Sequence, residues 1–238
     1  MTESLTIPAR FNGPPETGNG GYTCGRLAAL LGAETAAVSL RTPPPLDRPL
    51  AIVRDGARAE LRDGETLVAE ATPAELSLTP PEPVSLDRAR AASDDGREQW
   101  TAKHPFRTCF VCGPDREPGD GLRLFPGRLE DGRYAVPWTP DESVDDGAGH
   151  VPAECVWAAL DCPTSAPVAN FGAGPPMVLA SLTARLNAAV RVGEPHSILS
   201  WPLQEDGRKR HAAAALFDAN GRLLAASRAL WIELRREA

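Results

Sequence analysis

Three groups of residues in this chain have types and spacings that can do chemistry. The first is Asp161 in the apolar run Val151-Pro152-Ala153-Glu154-Cys155-Val156-Trp157-Ala158-Ala159-Leu160-Asp161-Cys162-Pro163. The run reads as one helix, with Pro152 in the first turn, where a missing amide donor costs nothing, and with Pro163 stopping it at Cys162. Asp161 then sits at the negative end of a helix dipole. A carboxylate there is disfavoured, burial would raise its pKa further, and such a group is suited to taking up a proton. A purely structural reading makes Asp161 an Asx-type cap on the turn at Thr164 and Ser165. Glu154 lies in the first turn, where the dipole favours it, and reads as structural.

The second group is Cys109-Phe110-Val111-Cys112-Gly113. One Cys-x-x-Cys supplies two of the four ligands zinc needs, no second pair follows, and His104 is the one nearby candidate for a third. Redox chemistry is a weaker reading, because Gly113-Pro114 turns the chain where a helix would have to start. The third group is Gly18-Asn19-Gly20-Gly21, which leads into the apolar stretch Tyr22 to Leu31. A helix that starts on glycine exposes backbone N–H groups to an approaching oxygen. A tight turn that needs glycine is the plainer reading. The spacing is not that of a phosphate-cradling loop, and no Lys-Ser or Lys-Thr follows.

The elements that must position these groups fall into two stretches. After Gly32 the pattern becomes alternating: residues 37–40, 50–54, 57–62 and 66–72 read as strands, the last two joined by a turn at Asp63-Gly64. A further short strand is expected over Leu5–Phe11. Pro80, Pro81 and Pro83 end the sheet, and the polar stretch Ser85–Gln99 reads as a linker with some helix. Strands are expected again at Gly121–Phe125, Arg133–Trp138 and from Val178 onward. The segment Ala59–Ala71 is echoed by Ala215–Ser227, with leucines, an Asp/Asn-Gly turn and small residues in step after a one-residue shift. Duplication is the economical explanation. Each half would be a helix wrapped by a curved antiparallel sheet, giving an N-terminal unit 1–80, a linker 81–103 and a C-terminal unit 104–238.

With 238 residues and a net charge of −7, the chain can bury a core without staples, and its charge argues against nucleic acid and anionic membranes as main partners. No run approaches a bilayer span and the N-terminus lacks a basic, then apolar, signal. The five cysteines are an odd number. Reduced thiols and a cytoplasmic location are expected. The four histidines are scattered, with no Gly-x-Ser-x-Gly elbow, which argues against a hydrolase triad.

On these residues the chain resembles the hotdog-fold acyl-CoA thioesterases in a double-hotdog, α+β arrangement. Cys109-Phe110-Val111-Cys112-Gly113-Pro114 with Gly121-Leu122-Arg123-Leu124 resembles the C-F-x-C-G…G-L-x-L opening of phenylacetate-type members. Arg191-Val192-Gly193-Glu194 is similar to their mid-sheet turn, and Phe11-Asn12-Gly13 with Gly20-Gly21 to the glycine-rich helix start of double-hotdog members. Many relatives carry His-Gly-Gly at a helix start and an Asp or Glu two turns on. The resemblance implies that Pro152-Ala153-Glu154 and Asp161 take these places in the second half. In the first half Asn19-Gly20-Gly21 keeps the glycines and Ala28 stands at the acid position.

The resemblance therefore implies one competent site, with the Asn19-Gly20-Gly21 amides polarising a thioester carbonyl and Asp161 acting as base or nucleophile. Thr183 or Ser181 would orient water, although an outward strand position is the plainer reading. Tyr22 and Trp157 would bind the substrate. Arg208, Lys209 and Arg210 would meet coenzyme A phosphates, or form a solvated hairpin. The glutamine that some relatives place near the end has no counterpart, since Ser227 and Arg228 stand there. No cofactor is implied beyond coenzyme A as part of the substrate. Pairing of sheet edges would allow a homo-oligomer. A non-catalytic acyl-CoA or acyl-carrier binder is the competing reading, and a dehydratase a third.

Overall fold

The computed structural model describes residues 3–169, 171 and 174–235. Among them eleven strands form one antiparallel sheet with three α-helices. The first half gives β1 (Ser4–Thr6), α1 (Gly20–Ala28), β2 (Thr35–Leu40), β3 (Pro49–Asp55), β4 (Arg58–Asp63) and β5 (Thr66–Pro73). After α2 (Leu86–Lys103) come β6 (Gly127–Arg128), β7 (Tyr134–Trp138), α3 (Ala153–Ser165), β8 (Met177–Leu186), β9 (His196–Asp206), β10 (Lys209–Asp218) and β11 (Leu223–Glu233).

The spatial order is β1-β3-β4-β5-β2-β8-β11-β10-β9-β7-β6. Read inward, β1-β3-β4-β5-β2 and β7-β9-β10-β11-β8 repeat one plan, in which the strand after the helix lies innermost, and the short β6 adds an outer edge to the second half. The halves join where β2 pairs with β8, Val38 opposite Leu182. The hairpins β4–β5 and β10–β11 occupy equivalent places, and they contain the two segments whose sequences echo each other.

Alternation along the strands sorts the core into two faces. Ala212, Ala214 and Leu216 of β10 join the main core with α1 and α3, whereas Ala215 and Phe217 join a second cluster with Ala89 and Ala92 of α2. Strands β7, β9 and β10 are thus covered on both faces, which explains the unbroken apolar run Ala212–Leu216. The same outer face of β4 and β5 carries Arg58, Glu60, Arg62 and Glu70 in ion pairs.

Four expectations are corrected. The polar stretch Ser85–Gln99 is helical throughout from Leu86, capped by Ser85 and held to the sheet by Trp100 Nε1 and Ser93 Oγ, which donate to the carbonyls of Pro126 and Phe125 (2.8 Å each). Small residues permit that docking: no Cβ would fit on Gly127 beneath the Ala92 carbonyl. Gly121–Phe125 forms no strand, because the amides of Leu122 and Leu124 bond instead to the carbonyls of Phe110 and Val111. The strand expected over Leu5–Phe11 is confined to Ser4–Thr6, and Ala9–Phe11 forms a 3₁₀ turn.

The fourth correction concerns the Asp161 helix, which runs through Pro163 to Ser165. Thr164 Oγ1 donates to the Asp161 carbonyl at 2.6 Å and Ser165 Oγ to that of Cys162 at 2.8 Å, so side-chain hydroxyls satisfy carbonyls near the proline. Asp161 therefore stands inside the helix rather than at its end, and its side chain does not cap the following turn. No described helix is long and apolar enough to cross a membrane.

Candidate active site

The site is built where α1 and α3 cross. Glycines at 21 and 25 fall on one face of α1, one turn apart, and let the two backbones touch. A Cβ on Gly25 would lie 2.5 Å from Glu154 Cα, and one on Gly21 would overlap Asp161 Cβ and come within 2.8 Å of the Trp157 carbonyl. The sequence signal of a glycine helix start is therefore first a packing signal. Asn19 caps α1 by accepting the Tyr22 amide on Oδ1 (2.8 Å), which turns its Nδ2 toward α3.

Asp161 comes from α3 and meets the start of α1. Its Oδ2 accepts the Gly21 amide at 2.8 Å and Asn19 Nδ2 at 3.3 Å. Its Oδ1 is buried and has no partner among the described residues. The residue is 2% exposed, and burial pushes its pKa up to about 7, with the Cys109 charge adding to the rise while the Gly21 amide and Asn19 pull it back. A carboxylate with one anchored oxygen and one free oxygen is a base held in a fixed orientation.

Asp161 lines a cavity of about 600 Å³ walled mainly by apolar side chains, among them Leu40, Trp100, Phe106, Met177, Leu179 and Trp231. Asn19 and Gly20 line it too. The Gly20 amide, at the first position of α1, has no acceptor among the described residues. Next to Asp161 the cavity wall holds Cys109, Cys112 and Cys162, with Asn19 Nδ2 3.8 Å from the sulfurs of Cys109 and Cys162.

The structure brings together Asn19, Gly20 and Gly21 of the α1 start and Asp161 of α3. It does not bring in the others. Gly21 cannot serve as a free oxyanion donor, because Asp161 occupies its amide. Tyr22 and Trp157 are core residues: Tyr22 stacks on Phe11 with ring centroids 3.9 Å apart, and Trp157 packs beneath Gly25; neither lines the cavity. Thr183 and Ser181 alternate with Leu182 and Ala184, whose side chains enter the core, so they face away from the helices and off the cavity. Ser227 is buried and donates to the Leu160 carbonyl at 3.2 Å, anchoring α3.

Arg208, Lys209 and Arg210 form the exposed β9–β10 hairpin. Arg208 donates to the Glu233 carbonyl, between the cavity residues Ile232 and Leu234, and Arg210 pairs with Glu205 and Glu233. Two cations missed in the sequence, Arg41 and Lys103, line the cavity itself. No motif flags them, since each is an isolated charge brought in by the end of a strand or helix. Cys162 was passed over for the same reason: its partners lie some fifty residues away in the chain.

No family model matches the sequence, and no curated protein matches it. Solved structures do match, over nearly the whole chain. A tesB protein of Mycobacterium avium subspecies paratuberculosis is similar with a TM-score of 0.62 at 13% identity, covering 97% of this chain and 91% of that one. A Novosphingobium aromaticivorans protein proposed to be a thioesterase gives 0.62 at 13% identity, over 98% and 95%. A protein of unknown function with a hotdog fold from Alicyclobacillus acidocaldarius gives 0.55 at 12%, over 98% and 93%. The chain thus has an α+β hotdog fold.

Proposed function

We propose that this protein is a double-hotdog acyl-CoA thioesterase with one active site between its halves. The N-terminal hotdog would span 1–80, the C-terminal one 104–238, and the connection 81–103 contains the whole of α2. The observation that carries the proposal is the contact of Asp161 Oδ2 with the Gly21 amide at 2.8 Å on the wall of an apolar cavity, with Oδ1 left without a partner.

In this reading the acyl chain lies among the apolar walls and the thioester carbonyl accepts the Gly20 amide at the positive end of α1. Asp161 Oδ1 takes a proton from water as its oxygen attacks the carbonyl carbon; the C–S bond then breaks and the departing sulfur recovers that proton. Direct attack by Asp161 would give an anhydride that water opens. Lys103 and Lys209, with Arg41, Arg208 and Arg210 if they leave their contacts with Glu70, Glu205 and Glu233, would supply cations to the phosphates of coenzyme A. Five free cysteines fit a reducing, cytoplasmic location.

The test is thiol release from a panel of acyl-CoAs. Asp161→Asn should lose about a hundredfold or more in turnover while acyl-CoA binding persists. A second reading, a binding protein without turnover, draws support from the Gly21 amide being taken by the carboxylate. Equal residual rates in the wild type and in Asp161→Asn would establish that reading in place of the first.

A further inference from the structure

We infer that Cys109, Cys112 and Cys162 together bind one zinc ion, with a fourth coordination position left toward the cavity. This site is independent of whether thioesters are hydrolysed. The three sulfurs lie within 4.8 Å of one another, and those of Cys109 and Cys162 are 3.8 Å apart. Zinc with sulfur at about 2.3 Å in a tetrahedron sets its sulfurs about 3.8 Å apart. All three residues are buried, and they come from two places, the Cys109–Cys112 loop and the last turns of α3.

N–H donors surround the cluster. His104 Nδ1 accepts the Phe106 amide at 2.9 Å, which puts the ring proton on Nε2, and Nε2 lies 3.0 Å from Cys112 Sγ. His104 is thus a donor to the sulfur, not the third ligand that the sequence suggested. Asn19 Nδ2 faces the other two sulfurs at 3.8 Å, its orientation fixed by the Tyr22 amide on its oxygen. Every sulfur of the cluster therefore faces an N–H donor, the pattern of outer partners that orient and stabilise metal-bound thiolates.

The loop is also built in advance. The Gly113 amide closes on the Cys109 carbonyl at 2.8 Å, in a turn so tight that a Cβ on Gly113 would lie 2.5 Å from that carbonyl and 2.6 Å from the Cys109 nitrogen. The amides of Leu122 and Leu124, and the Asn12 carbonyl, pin the loop between its two cysteines. Thiolate donors select soft or borderline ions, and three protein ligands with an open position is an arrangement zinc accepts. All three cysteines line the cavity, so water or an entering ligand would complete the tetrahedron.

The experiment measures metal directly. Protein produced in zinc-supplemented medium and gel-filtered should carry about one equivalent of zinc by mass spectrometry, and protein stripped and refilled with cobalt should show a sulfur-to-cobalt charge-transfer band with intense tetrahedral d–d absorption. Cys109→Ser and Cys162→Ser should each abolish the cobalt spectrum. Cys24→Ser and Cys155→Ser, outside the cluster, should leave it unchanged, and so should Asp161→Asn, which separates metal binding from hydrolysis. Wild-type protein with under about a tenth of an equivalent of zinc and no cobalt bands would overturn the site, whether or not the serine variants fold. So would an intact mass 2 Da low that reports a Cys109–Cys162 disulfide.

Discussion

The two central helices make the most instructive comparison in this molecule. They hold equivalent places in the repeated plan, yet α1 opens on Asn19-Gly20-Gly21 with Ala28 at the later position, whereas α3 opens on Pro152-Ala153-Glu154 with Asp161 there. One helix carries glycines at its start and the other carries Asp161, and the two meet where the helices cross. In the proposed enzyme a single site would need only one of each part. The comparison predicts that restoring the missing acid gains nothing. Ala28 is 6% exposed in the core, so Ala28→Asp should bury a carboxylate at a cost of about 3 kcal/mol or more, read by urea unfolding, with no added turnover. A gain in activity would break the asymmetry.

The glycines sharpen the same contrast. Gly25→Ala sets a methyl against the Glu154 backbone at Cα and the Cβ and Cγ of the buried Trp157, and should cost about 1 to 3 kcal/mol. Gly20→Ala would meet only side-chain atoms of Leu179 and Leu40, at 2.8 and 3.1 Å, which can shift, and should cost under about 1 kcal/mol. Thermal melts of the two variants side by side would show whether Gly25 serves packing and Gly20 the cavity.

These cases also show what a sequence can and cannot disclose. The strands of both meanders, the Asp63-Gly64 turn and the repeat were legible because alternation and turn chemistry are local. Apolar helical runs and glycine spacing pointed to Asp161 and to the Asn19–Gly21 start, which the fold brings into contact, although Asp161 does not stand at a negative helix end because the helix continues past Pro163 to Ser165. Tyr22 and Trp157 were misplaced because an aromatic beside a site in sequence points wherever its helix face points, here into the core. The meeting of Cys162 with Cys109 and Cys112, and of Arg41 and Lys103 with the cavity, depends on tertiary register that no local pattern encodes.

The outer faces of the two halves differ as well. That of β4 and β5 is wet and carries an ion-pair ladder in which Glu70 meets both Arg41 and Arg58, whereas that of β7, β9 and β10 is dry beneath α2. Trp100→Phe removes the bond to the Pro126 carbonyl and leaves that buried acceptor unsatisfied, for an expected loss of about 1 to 3 kcal/mol. Glu70→Gln should cost under about 1 kcal/mol, and less in high salt, because its partners Arg41 and Arg58 are half exposed to screening water. Denaturant midpoints at low and high salt compare the faces directly; a larger loss at Glu70 would reverse their ranking.

The smallest effect expected concerns pH and again separates the halves. Strand β3 opens on Pro49, but its counterpart β9 opens on His196, which is 1% exposed beside Trp138. Burial lowers the His196 pKa, while the Glu194 and Trp138 backbone and the charges of Glu194 and Asp218 resist the shift. The unfolded chain binds this proton near the ordinary value of about 6.5 and the folded chain only at lower pH, so the unfolded state holds more protons in that window. Stability should therefore fall as pH drops below about 6.5, and the contribution of this group should be level above it. His196→Gln cannot titrate, so the difference in unfolding free energy between wild type and variant should change between pH 7 and pH 5, in the direction that favours the variant as acid is added. A difference independent of pH would mean that the buried ring takes up its proton as readily as the unfolded chain does.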